Sequence, residues 1–132
     1  MRKHKTIDVV YISGKITGCK DLNKPKFKAA ESLIRSSYNT HFGNEHALFI
    51  INPHDLPDTH HNKSWGAYMK ECIRALVDCN KIFVLDDWKQ SRGALAEVLF
   101  AKIMDIDMYE VDTMRKFEIS YFTLLSKMLF KY

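Results

Sequence analysis

Short apolar runs that stop abruptly, alternating with stretches of helical period, constrain this chain more than anything else in it. Residues 7–13 read as a buried strand, ended by Gly14. Residues 48–51 read as a second strand, stopped by Asn52-Pro53, since the residue before a proline avoids the helical region. Residues 81–85 form a third, closed by Asp86-Asp87, and residues 108–111 a fourth. Between them, Phe27, Ala30, Leu33 and Ile34 share one face of a helix from Pro25 to about Ser37. Trp65, Tyr68, Met69, Cys72 and Leu76 do the same over residues 65–78, and a further helix covers residues 91–104. Residues 55–63, with prolines and histidines but no apolar period, read as a loop. Residues 113–130 read as a closing helix, with a fifth strand in that region as the alternative. Strands alternating with helices predict a parallel sheet covered on both faces. The expected fold is therefore a three-layer α/β sandwich with a central parallel sheet of four or five strands.

The 132 residues suit one ordinary domain, taken here as residues 1–132, and 46% apolar content supplies a core. No stretch approaches the roughly 20 apolar residues that span a bilayer. The basic residues Arg2, Lys3 and Lys5 run into a β-type segment without a small-residue cleavage site, so no signal peptide is expected. Cys19, Cys72 and Cys79 are odd in number and lack paired spacing, which argues against a disulfide framework or a zinc site and fits a reducing cytoplasm. His54, His60 and His61, with Asp55 and Asp58, lack the spacing that organises metal ligands, so no metal is expected. The net charge of +4 includes Lys20, Lys24, Lys26 and Lys28, but no aromatic residues interleave a basic patch; nucleic-acid binding therefore ranks last.

In open parallel sheets, ligands bind beyond the carboxyl ends of the strands. Three of those ends carry chemistry here: Ser13-Gly14, Asn52-Pro53, and Asp86-Asp87 leading to Ser91. Ser91 is a good N-cap, and the helix start after it, with Arg92 and Gly93, favours an anion such as a phosphate. Glu97 is the sole charge between Gly93 and Ala101. Its helical neighbours are Gly93, Ala94 and Ala101, whereas Lys102 lies about 140° around the axis. Helical side chains tilt toward the N-terminus, so Glu97 leans over two small residues beside an anion-binding helix start. The alternative is a glutamate turned to solvent or paired with a lysine. A carboxylate so placed suits attack on a sugar's anomeric carbon, where an oxocarbenium-like transition state needs stabilising.

The segments Tyr11-Ile12-Ser13-Gly14-x-Ile16-Thr17-Gly18, Asn52-Pro53 and Ser91-x-Gly93-x-x-x-Glu97 resemble the nucleoside 2-deoxyribosyltransferase-like superfamily. That superfamily includes the 2′-deoxynucleoside 5′-monophosphate N-glycosidases. A small bacterial and phage branch also shares Asn23-x-Pro25-x-Phe27, Trp65-x-x-Tyr68-Met69 and Trp88-x-x-Ser91. The resemblance covers about residues 9–110. It implies a Rossmann-like or flavodoxin-like fold, cleavage or transfer of an N-glycosidic bond, a homo-oligomer, and no metal or organic cofactor. It implies Glu97 as nucleophile, Ser91 and Gly93 at the 5′ end, Tyr11 in the sugar pocket, and residues 13–18, with Ser13, Gly14 and Ile16, around base and sugar. Two departures stand out: Cys72 and Asn80 occupy positions where the superfamily commonly has aspartates, so that either Asp86 or Asp87 takes over, or activity is weak, or the chain binds without turnover. Thr17 stands at a position that is often basic, with Lys15 as the possible substitute. These departures motivate a second reading, a nucleotide-binding module without turnover. Trp65 and Trp88 read as packing residues, Trp88 being also near enough to Ser91 to stack on a base.

Overall fold

The computed structural model describes residues 6–56 and 64–130. β1 (Thr6–Ser13), β2 (His46–Ile51), β3 (Lys81–Val84) and β4 (Asp107–Glu110) form a sheet in the order β2-β1-β3-β4, with every pair parallel. α1 (Lys24–Phe42) lies on one face. α2 (Trp65–Leu76), α3 (Arg92–Ile103) and α4 (Tyr121–Phe130) share the other. This is the expected three-layer α/β sandwich, and its order is that of flavodoxin-like sheets with the switch point between β1 and β3.

β1 shows why the layers form. Val10 and Ile12 pack under α1 with Phe27, Ile34 and Tyr38. Tyr11 packs on the opposite face with Cys72, Leu95 and Val98. Successive strand residues point to opposite faces, so a near-continuous apolar run serves two cores at once. Asp8 belongs to the α1 face and is buried in a polar knot beneath it. Its carboxylate accepts from Lys81 Nζ at 2.7 Å, from Asn80 Nδ2 at 3.1 Å and from the Tyr38 hydroxyl. The knot lies at the amino-terminal edge of β3, away from the carboxyl ends that face ligands.

Two elements differ from expectation. α1 runs past Ser37, because Tyr38 and Phe42 continue its apolar face one turn apart and stack on each other at 4.5 Å. It stops at Gly43, whose φ of 88° is left-handed and whose amide reaches Asn39 O at 2.8 Å. The closing helix starts at Tyr121 rather than at residue 113. Residues 113–120 instead fold back along β4, with Glu110 N donating to Arg115 O and Phe117 N to Met108 O, both at 2.9 Å. The return makes one isolated antiparallel bridge, Tyr109 to Lys116, where a fifth strand was the alternative. It covers the open edge of β4, which otherwise presents unpaired backbone groups. Ser120, whose Oγ accepts from Thr123 N at 3.1 Å, marks the true helix start.

Among the described residues no helix is long and apolar enough to cross a membrane.

Candidate functional site

A cavity of about 330 Å³ opens at the carboxyl ends of β1 and β3. Its walls come from three places. Residues 14–17 follow β1; Trp65, Tyr68 and Met69 come from α2; Gln90 to Ala94 and Glu97 come from the start of α3. Gly14 is required by close approach, since a Cβ there would sit 2.5 Å from Leu85 Cδ1. Gly93 keeps the cavity floor open: a Cβ on it would stand 3.1 Å from Met69 Sδ.

Glu97 projects from α3 toward the sheet and is 5% exposed. Ser13 Oγ donates to its Oε1 at 2.7 Å, and the Tyr11 hydroxyl donates to its Oε2. Tyr11 and Ser13 are two apart on β1, so they share the face that α3 covers. The Cys72 thiol touches the Tyr11 and Tyr68 hydroxyls behind the cavity. Burial, helped by the charge of Glu97, pushes that thiol up to about 11, so it stays protonated at neutral pH. Burial, then the neighbouring Glu97, holds the Tyr11 phenol well above its ordinary value and keeps it a donor. Burial also pushes the Glu97 carboxyl up to about 7, against the downward pull of the Tyr11 and Ser13 hydroxyls.

A measurable consequence follows for stability. The folded chain holds the Glu97 proton more tightly than the unfolded chain, whose value is the ordinary 4.5. Below about 4.5 both states are protonated and burial of this group costs nothing through ionisation. From there to about 7 the unfolded chain releases the proton first, so stability falls with rising pH; above 7 the penalty is complete. Thermal melts of wild type and Glu97→Gln are expected to diverge in the variant's favour between pH 5 and 8. A difference independent of pH rejects the elevated carboxyl.

At the cavity mouth, Ser91 caps α3, its Oγ accepting from Ala94 N at 3.1 Å. The Arg92 guanidinium lies 4.2 Å over the Trp65 ring. With Lys15, Arg92 makes the mouth cationic while the inner end carries the acid. A ligand matching this polarity has an anionic or strongly accepting end outside and an electrophilic centre inside.

The residues singled out in the sequence separate into three groups. Gly14, Ile16, Ser91, Arg92, Gly93 and Glu97 line the cavity. Tyr11 and Ser13 stand behind it, bonded to Glu97. Asn52, Asp86 and Asp87 are outside its lining. Asn52 is buried and accepts from His54 N at 3.0 Å, closing the turn after β2. Asp86 is exposed and pairs with Lys26. Asp87 accepts from Lys15 N at 2.9 Å and Asn23 Nδ2 at 3.1 Å, so it contacts the cavity loop from behind. Neither aspartate stands in for an acid at Cys72. Asn80 lies in the Asp8 knot, where its Oδ1 accepts from Val9 N at 2.7 Å, remote from the cavity.

Tyr68 and Met69 read as members of an apolar stripe and of the Trp65-x-x-Tyr68-Met69 motif, with no site role; their position one turn from Trp65, facing the start of α3, is what brings them to the cavity. Trp88 packs against Phe117 with ring centroids 5.6 Å apart, while Trp65 is partly exposed and carries Arg92. His54 packs edge-on against Phe27, and His60, His61 and Asp58 lie outside the described residues.

No curated protein matches the chain. Residues 8–110 match the family described as Domain of unknown function (DUF4406), a span that runs from β1 to the end of β4 and includes every cavity-lining residue named above. The chain belongs to that family.

Proposed function

We propose that this chain cleaves or transfers the N-glycosidic bond of a nucleoside or nucleoside 5′-monophosphate, and that its family falls in the nucleoside 2-deoxyribosyltransferase-like group. The observation that carries this reading is Glu97: a buried carboxyl gripped by two β1 hydroxyls, at the inner end of a cavity with a cationic mouth. The cavity volume falls in the range of small-molecule sites. The order and spacing of the Tyr11–Gly18, Asn52-Pro53 and Ser91–Glu97 motifs support the same group.

In the proposed reaction an ionised Glu97 oxygen attacks C1′ as the bond from C1′ to the base nitrogen breaks. The base leaves with the bonding electrons and takes a proton from solvent. Water then attacks C1′ and releases Glu97, giving a free sugar; a second base in place of water gives transfer. Tyr11 and Ser13 fix the carboxylate's orientation, which confines attack to one line. Arg92, Lys15 and the capped start of α3 suit a 5′-phosphate at the mouth. Because the nucleophile is the ionised form, kcat/KM is expected to rise with pH and level off above about 7.

The second reading, ligand binding without turnover, is favoured by one observation. The position that commonly carries an aspartate holds the protonated Cys72 thiol, a weak hydrogen-bonding group. One experiment separates the two readings. The chain is incubated with a panel of nucleosides and 5′-monophosphates, and free bases are separated by chromatography. Base release from any member supports the enzyme. Thermal stabilisation by a ligand without release supports the binding module, and neither result rejects both.

A further inference from the structure

We infer that Asp87 is a positioning residue that latches the cavity-wall loop in a shape the loop does not hold by itself. The loop between β1 and α1 supplies Lys15, Ile16 and Thr17 to the cavity. Its far end is unusual: Asp21, Leu22 and Asn23 are consecutive and all left-handed, with φ of 50°, 52° and 62°. Residues other than glycine visit this region singly, not in runs, and such backbone persists only where surrounding contacts over-determine it.

Asp87 supplies those contacts from the other side of the switch point. Its Oδ1 accepts from Lys15 N at 2.9 Å, and its Oδ2 accepts from Asn23 Nδ2 and Lys26 Nζ, both at 3.1 Å. Asn23 Nδ2 also donates to Lys15 O at 2.7 Å. Both backbone groups of Lys15 are thereby tied, one to Asp87 and the other to Asn23. A single carboxylate thus joins Lys15 of the cavity wall, the left-handed turn and the first turn of α1. Asp86, its neighbour, bonds Lys26 alone and is mostly exposed. The latch is independent of what the cavity binds.

Asp87→Asn tests it with little change of shape. One amide oxygen keeps the Lys15 bond, but the new NH₂ faces two donors, Asn23 and Lys26. Amide hydrogen exchange, followed peptide by peptide, is expected to accelerate at least tenfold at Cys19 and Leu22, with α3 and β3 unchanged and the melting temperature nearly so. Asp86→Asn, as the control, leaves exchange in that loop unchanged. Loop exchange equal to wild type in Asp87→Asn overturns the latch. So does acceleration spread evenly over sheet and helices, which marks a general loss of stability. Where base release is measurable, the same variant is expected to raise KM at least tenfold with kcat within twofold, because Glu97 is untouched; an equal fall in kcat overturns the positioning role. If wild type releases no base, the glycosidic proposal fails while exchange still decides the latch.

Discussion

Glu97→Gln is expected to lower base release by at least about a thousandfold, since it removes the group proposed to attack C1′. Glutamine keeps the shape of the side chain, so the cavity and α3 remain in place. What disappears is the negative charge and the electron pair that the proposed covalent link requires. One of the two hydroxyls, Tyr11 or Ser13, rotates to accept from the new amide, which costs less than leaving a buried glutamate charged above pH 7. The variant should therefore be inactive and at least as resistant to heat as wild type at pH 8. Both properties are measured on one preparation, by base chromatography and by a thermal melt. Retained turnover removes Glu97 from the mechanism. Lost turnover accompanied by a collapsed melt leaves the loss uninterpretable for Gln, and Glu97→Asp then serves: it keeps the charge but draws it back by one methylene, so turnover should still fall steeply.

The second large effect is on stability and lies at the opposite end of the sheet. Asp8→Ala is expected to destabilise the fold by about 3–5 kcal/mol, because it strands the ammonium of Lys81 in a buried site. Lys81 is 9% exposed and Asp8 2%. With Asp8 gone, Lys81 Nζ keeps the Tyr38 oxygen at 2.8 Å and the Phe42 ring at 4.4 Å, neither of which carries a compensating charge. Chemical denaturation measures the loss. The pair Asp8→Leu with Lys81→Met should recover most of it, since an apolar replacement removes both desolvation costs together. A single variant as stable as wild type shows that Lys81 finds water, and the knot is then ornamental.

The same group sets an acid limit. Burial alone raises the Asp8 carboxyl, but Lys81, then Tyr38 and Asn80, outweigh it and hold it down at about 2. Its contribution is therefore complete above the ordinary carboxylate value of 3.8 and disappears as pH falls toward 2. Glu97 works in the other direction and over a higher window, so the two acids oppose each other in the pH dependence of stability.

How much of this was readable in the residues alone depends on whether the signal was local. The strands announced themselves because a buried strand in a parallel sheet is a short apolar run with an abrupt stop. Glu97 was readable because a helix has a fixed angle per residue: a charge flanked by Gly93, Ala94 and Ala101 has an open side and no cationic neighbour on its own face. Long-range pairings were not readable. Nothing near Asp8 discloses Lys81, 73 positions away. The same limit applied to Asp86 and Asp87, identical in type and adjacent, of which one bonds a surface lysine and the other a loop backbone. The last turn of α1 was hidden by the polar run at residues 39–41, though Phe42 kept the period. The return of residues 113–120 was hidden because its bonds go to β4, and period describes only what a segment does with itself.

β1 carries a double obligation. Its even-numbered residues anchor Asp8 in the knot and fill the core under α1, while its odd-numbered residues present Tyr11, and then Ser13, to Glu97. A slip of one position against β2 and β3 would exchange the two sets, driving a carboxylate into the α2–α3 core and turning both hydroxyls away from the acid they hold. Wrong alignments of this central strand are thus penalised on both sides of the sheet, and a chain that has docked β1 correctly has already placed the two hydroxyls that grip Glu97.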